Sequence, residues 1–171
     1  MVVLTNNDGQ VVALCGIAKR LGLKKFVPYF QAKEQLGAAG AIVRSSNYEL
    51  YADLSQRMMD TCARFAPEMH IYSIDEAFLF YGAYKPPGQT WYEHARLIRR
   101  TVWDEVRLPT GVGVGPTPTL AKAASHAAKR INGFRGLAVI DGDTVRRHVL
   151  ANMLVTDVWG IGKRIGARLN D

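Results

Sequence analysis

The sequence predicts an α+β fold, a sheet covered by helices on one face. Two observations along the chain predict it: apolar runs of strand length alternate with amphipathic runs of helix length, and one pair of strand-like runs is close enough to form a hairpin. A third is the composition. With 171 residues, 48% hydrophobic and 22% charged, the chain is of ordinary globular make-up and fits one compact domain, or one plus part of another. Its longest apolar runs fall far short of the roughly 20 residues that cross a bilayer, and no charged-then-apolar leader opens it, so a soluble, cytoplasmic protein with no membrane partner is expected. Cys15 and Cys62 are too few for a disulfide framework and lack the spacing of a zinc site; they read as reduced packing residues.

Taken in order, residues 1–5 form an apolar strand, Asn6-Asn-Asp-Gly9 a turn, and residues 11–14 a second apolar stretch. A helix over residues 15–21 stops at Gly22, a shorter helix starts near Pro28, and residues 41–44 read as a strand. Asn47 caps a long helix whose buried stripe is Leu50, Leu54, Met58 and Phe65, with Cys62 between, ended by Pro67. Residues 69–73 and 77–81 are strands joined through Ile74-Asp75-Glu76, a hairpin. Trp91, Ala95, Ile98 and Val102 mark another amphipathic helix, followed by a glycine-rich strand over residues 110–115. Thr117 is an N-cap with Pro118 at the first helical position, opening a helix to about Ile131. A strand over residues 137–140 and a helix over residues 143–150 precede the hairpin Gly160-Ile161-Gly162.

The net charge is +7. Residues 86–171 hold thirteen Lys/Arg against seven Asp/Glu, and therefore +6 of that charge. This asymmetry suits a polyanionic partner, because each neutralised phosphate releases counterions; a merely soluble basic surface is the competing reading.

Three features could carry chemistry. In Ser73-Ile-Asp-Glu-Ala77 two carboxylates interrupt apolar strands, and a cation would give them a partner. Neighbouring strand residues face opposite ways, so Asp75 and Glu76 share a site only if the chain turns or bulges there; a solvated acidic turn is the alternative. On the helix from Thr117, Leu120, Ala124, Ala127 and Ile131 form an apolar stripe. Lys122, Ser125, His126 and Lys129 fall on another side, either as a row of phosphate-binding groups or as a solvated face. Gly111-Val-Gly-Val-Gly115 lacks the spacing of a dinucleotide fingerprint and reads as close strand–helix packing. Finally, Gly160 and Gly162, with Lys163 and Arg164 after them, suit a hairpin whose free N–H groups hold a nucleic-acid phosphate; a plain glycine turn is the other reading.

With these residues assembled, the sequence resembles the Y-family translesion DNA polymerases, most closely their bacterial UmuC-like branch. The segments that carry the likeness, in family order, are Ser46-Asn-Tyr-Glu-Leu-Tyr-Ala-Asp53, Tyr72-Ser-Ile-Asp-Glu-Ala77, Gly111-Val-Gly-Val-Gly115, Leu120-Ala-Lys122 with His126-Ala-Ala-Lys129, and Asp157-Val-Trp-Gly-Ile-Gly162. The resemblance implies a polymerase palm with a mostly antiparallel sheet and packed helices, small fingers, and the start of a helix-hairpin-helix thumb. It places a partial palm strand and fingers at residues 1–40, palm at 41–150 and the opening of the thumb at 151–171. By position, Asp75 and Glu76 match the family's catalytic metal ligands, with two Mg²⁺ ions expected. Lys19 and Lys129 match its triphosphate contacts, and Gly160, Gly162, Lys163 and Arg164 its DNA-phosphate contacts. Gly16 stands where many relatives carry a larger side chain.

The implied substrates are primer-template DNA and a deoxynucleoside triphosphate, in synthesis across damaged DNA during the SOS response. By analogy the partners are UmuD-like subunits, a recombinase filament and a sliding clamp. The family's first strand, with a further metal-binding Asp, is expected to precede residue 1, and its last DNA-gripping domain to follow residue 171. The chain is therefore expected to be a fragment that does not extend primers alone. Two other functions compete: a non-catalytic DNA-binding or interaction fragment indifferent to Mg²⁺, and a palm-fold nucleotidyl cyclase, against which the phosphate-binding hairpin argues.

Overall fold

A computed structural model of the protein describes residues 1–170; Asp171, the last residue of the expected thumb segment, lies outside them. The chain divides into two compact units, Met1–Asp53 and Leu54–Asp171.

In the first unit β1 (Val2–Leu4) is the middle strand of three. It pairs antiparallel with β2 (Val11–Leu14) and parallel with β3 (Val43–Ser45). The turn between β1 and β2 is closed by the Gly9 N–H, which donates to the Thr5 hydroxyl at 3.0 Å. Val2, Leu4, Val11 and Leu14 pack with Ala18 and Leu36 of the helices α1 (Gly16–Arg20) and α2 (Tyr29–Ala38) to form this unit's core. α1 halts before Gly22, whose φ of +78° suits glycine. The strand expected over 41–44 starts later, at Val43, because the Ala41 N–H turns back to the Leu36 carbonyl to close α2.

Helix α3 (Tyr48–Ala63) is capped by Asn47, whose side-chain oxygen accepts the Leu50 N–H at 3.0 Å. Its buried stripe differs from the expected one. Met58, Met59 and Thr61 are buried, whereas Leu50 is 48% exposed. Met58, as expected, and Met59 pack with Val102, Met69, Ala77 and Leu108 at the carboxy-terminal turns of the helix.

The second unit contains β4 (Glu68–Ser73), β5 (Glu76–Phe80), α4 (Trp91–Val106), β6 (Val112–Val114), α5 (Pro118–Arg130), β7 (Leu137–Val139) and α6 (Asp143–Ala151). A 3-10 turn (Val155–Asp157) and α7 (Lys163–Asn170) follow. Helix α4 starts with a reciprocal Thr90/Glu93 capping box and buries Ala95, Ile98 and Val102 as expected. His94 is buried as well, and its Nε2 lies 2.9 Å from the Tyr81 hydroxyl. Burial pushes the imidazole below its usual range and the phenol up to about 12.

The strands do not merge into one sheet. They make three small sheets with four ladders, of which the longest, β4–β5, is antiparallel like β1–β2, while β1–β3 and β6–β7 are parallel. α4 and α5 both pack on the β6–β7 pair. α5 comes closest because β6 carries glycine: a Cβ at Gly113 would sit 2.1 Å from the Ser125 nitrogen, and one at Gly115 2.8 Å from the Ala121 nitrogen. Ala123, Ala124, Ala127 and Ala128 supply the matching small side chains, all buried. No helix among the described residues is long and apolar enough to cross a membrane.

Candidate active site

The site begins with the register of one hairpin. Ser73 stands opposite Glu76, so Ile74 and Asp75 form the turn itself. Directly opposed residues of an antiparallel pair present their side chains on one face. Ser73 and Glu76 therefore share a face, and the Ser73 hydroxyl donates to Asp75 Oδ1 at 2.7 Å. Asp75 thus lies in the turn, bonded to a residue of the Glu76 face, and is not bound by strand alternation. From outside, α3 fixes the turn: the Ser55 hydroxyl donates to the Ile74 carbonyl at 2.5 Å.

A register shift between Ile71 and Ser73 leaves Tyr72 as the extra residue of a bulge. Tyr72 keeps the face of His70, which opposes Phe78, and its ring meets Phe78 edge-on at 5.7 Å; what the bulge changes is Ser73, set opposite Glu76 on that same face. Trp159 covers the same face, 5.6 Å from Tyr72 and 5.7 Å from Phe78 between ring centres. Its indole N–H donates to the Tyr72 hydroxyl at 3.2 Å.

Glu76 has a cation of its own. Lys122 Nζ from α5 lies 2.9 and 3.0 Å from the two Glu76 carboxylate oxygens, with side-chain exposures of 21% for the lysine and 35% for the glutamate. The row of polar residues expected on α5 is therefore split in two. Lys122 and His126 turn inward, His126 Nε2 lying 3.8 Å from Asp157 Oδ2, while Lys129 is exposed. Lys129 follows Lys122 by seven residues, or roughly 10 Å of helix rise. Its stem runs beside β6, where a Cβ on Gly111 would meet Lys129 Cε at 3.0 Å.

The hairpin Gly160-Ile161-Gly162 joins the 3-10 turn to α7. Gly160 has φ +88°, the Ile161 N–H donates to the Val158 carbonyl at 2.9 Å, and a Cβ at either glycine would meet nothing within 4 Å. Lys163 and Arg164 open α7 and are exposed. Lys19 lies in α1 of the other unit and is exposed.

As a donor set for a cation, Asp75 and Glu76 offer hard carboxylate oxygens. Mg²⁺ is commonly held by one or two such groups, with water and substrate phosphates completing the shell, so the pair fits that ion. Among the described residues no cluster of three or more His, Cys, Asp or Glu side chains is placed to hold a metal. Sequence reasoning missed the partners of this pair: Lys122 as the ion-pair partner of Glu76, Tyr72 as a bulge residue, and Trp159 as the cover. Tyr72, Phe78 and Trp159 were visible as residues but their contact was not, because Trp159 lies 87 positions beyond Tyr72.

The impB/mucB/samB family model matches residues 1–126. Protein UmuC of Salmonella typhimurium is 45% identical over 175 aligned residues, covering 99% of this chain and 40% of that protein. DNA polymerase IV of Metallosphaera sedula is 30% identical, covering 93% of this chain and 44% of that protein. Among solved structures, an insertion ternary complex of Dbh DNA polymerase superposes with a TM-score of 0.80 at 26% identity, over 99% of this chain and 49% of that one. DinB from Sulfolobus solfataricus gives 0.77 at 27% identity over the same shares. The chain thus spans less than half the length of these proteins. The match over most of its residues means that it belongs to the impB/mucB/samB family, and its fold is that of the Y-family DNA polymerases.

Proposed function

We propose that this chain carries the nucleotidyl-transfer centre of a template-directed DNA polymerase that copies damaged DNA. The observation that carries the reading is the placement of Asp75 and Glu76 at one hairpin end, where Ser73 stands opposite Glu76 and bonds to Asp75, beside a helix whose next exposed lysine is Lys129. Residues 1–40 would supply fingers, 41–150 the palm and 151–171 the opening of the thumb. Asp75 and Glu76 would hold magnesium. When bound, that ion neutralises charge on the phosphates and makes the primer hydroxyl a better nucleophile. The protein's own groups do the positioning. Ser73 orients Asp75, Lys122 orients Glu76, and Lys129 would neutralise the triphosphate as the nucleotide settles. The open glycines and the Lys163 and Arg164 cations would hold the DNA backbone without reading bases. Through the family, the proposal extends to UmuD-like subunits, a recombinase filament, a sliding clamp, the SOS response and a cytoplasmic location.

Binding of labelled primer-template DNA and a deoxynucleoside triphosphate, with and without Mg²⁺, tests the proposal. Polymerase chemistry predicts Mg²⁺-dependent nucleotide affinity that Asp75→Asn weakens. The second reading, a DNA-binding fragment without catalysis, draws on the basic carboxy-terminal half and predicts salt-sensitive DNA binding indifferent to both Mg²⁺ and Asp75→Asn.

A further inference from the structure

Lys122 belongs neither to the proposed metal ligands nor to the phosphate contacts, yet it connects them. Its ammonium bridges both Glu76 oxygens and also lies 5.2 Å from the centre of the Tyr72 ring and 6.0 Å from that of Trp159. Tyr72 and Trp159 are joined by the indole hydrogen bond and an edge-to-face contact at 82°. Trp159 immediately precedes Gly160, the first glycine of the hairpin. A continuous set of contacts therefore runs from the Glu76 carboxylate, through one cation and two rings, to the 160–162 hairpin.

The physics of this set makes it responsive. A lysine shared between a carboxylate and two aromatic faces divides its attraction among them. If the ion pair is broken, as by Glu76→Gln, the ammonium is left with the rings or with solvent. Tyr72 and Trp159 are held to each other by one neutral hydrogen bond and ring contact, and each also lies 5.7 Å from Phe78, so the ammonium sits at the edge of one packed aromatic set and its displacement is felt by both rings. Just before Trp159, Asp157 Oδ2 lies 3.8 Å from His126 Nε2 of the same helix.

We propose that Lys122 is a positioning residue that couples its ion pair with Glu76 to the 160–162 hairpin through Tyr72 and Trp159. In the setting proposed above, filling the carboxylate site would thereby adjust the grip on the DNA backbone. That meaning rests on the reading of Glu76 as a metal ligand, but the coupling itself is tested without metal or DNA.

The test uses ¹H–¹⁵N spectra of the full chain. Its three tryptophans give three indole signals, and Trp159's is identified by its loss in Trp159→Phe. Glu76→Gln and Lys122→Met are each expected to shift that signal while those of Trp91 and Trp103 stay in place. Both variants should also speed amide exchange at Ile161 and Gly166, whose N–H groups are bonded to Val158 and Gly162, by on the order of threefold to tenfold. Asp75→Asn, whose partner is Ser73 rather than Lys122, is expected to leave both readouts alone. In a Trp159→Ala background, adding Glu76→Gln should produce no further change in exchange, the non-additivity of a shared path. Unchanged exchange in Glu76→Gln, an equal response to Asp75→Asn, or additive effects with Trp159→Ala would overturn the proposal. Loss of metal binding bears on the active-site reading alone, so the two fail separately.

Discussion

Two glycine runs in this molecule look alike in sequence and differ in physical purpose. In Gly111-Val-Gly-Val-Gly115 the glycines of β6 exist for the protein's own packing, since a Cβ at Gly113 would lie inside the backbone of α5. In Gly160-Ile161-Gly162 a Cβ would meet open space, and only Gly160, at φ +88°, is required by the backbone. The first run is closed by a helix. The second is left open beside two cations, as a surface built for a close-approaching polyanion would be. The lesson is that a glycine spacing acquires meaning from what lies within 4 Å of it.

Substitutions can break that contrast. The largest effect is expected from Gly113→Ala. Its methyl has no route around the Ser125 nitrogen and Ala121 carbonyl, so the cost should reach about 3 kcal/mol or more, seen as a large fall in the denaturation midpoint. Gly160→Ala should cost about 1 to 2 kcal/mol, from the left-handed backbone alone, with the fold retained. Gly111→Ala should displace the Lys129 stem, 3.0 Å away, at little cost in stability and lower triphosphate affinity severalfold. Gly162→Ala should change stability by no more than about 0.5 kcal/mol and still weaken DNA binding. A Gly113→Ala protein as stable as wild type, or a Gly162→Ala protein that binds DNA unchanged, would each erase the distinction. Lys163→Ala and Arg164→Ala sharpen it: each should reduce the salt slope of DNA binding by about one and weaken all sequences alike.

Much of this arrangement was legible in the sequence where local chemistry decides the structure. The Asn47 and Thr117 caps, the stop before Gly22 and the β4–β5 hairpin all follow from residues within a few positions of one another. Packing direction was not legible. Leu50 has the right spacing for a buried stripe and is exposed, while Met58 and Met59 at the far end of α3 pack in the core. The carboxylate pair was visible as spacing, but Lys122 lies 46 residues beyond Glu76, and Trp159 lies 87 beyond Tyr72. No local pattern announces contacts over such separations. The bulge at Tyr72 compounded this, since the one inserted residue moves Ser73 to the face of Glu76, which alternation from Ile71 would deny it.

The central claim is that Asp75 and Glu76 hold a divalent cation together. Titration of the chain with Mn²⁺, followed by the loss of its free-ion electron paramagnetic resonance signal, tests it most directly. Saturable binding is predicted for the wild-type chain, competed by Mg²⁺ and weakened by at least about tenfold in Asp75→Asn and in Glu76→Gln. Binding of equal strength in all three proteins would contradict it.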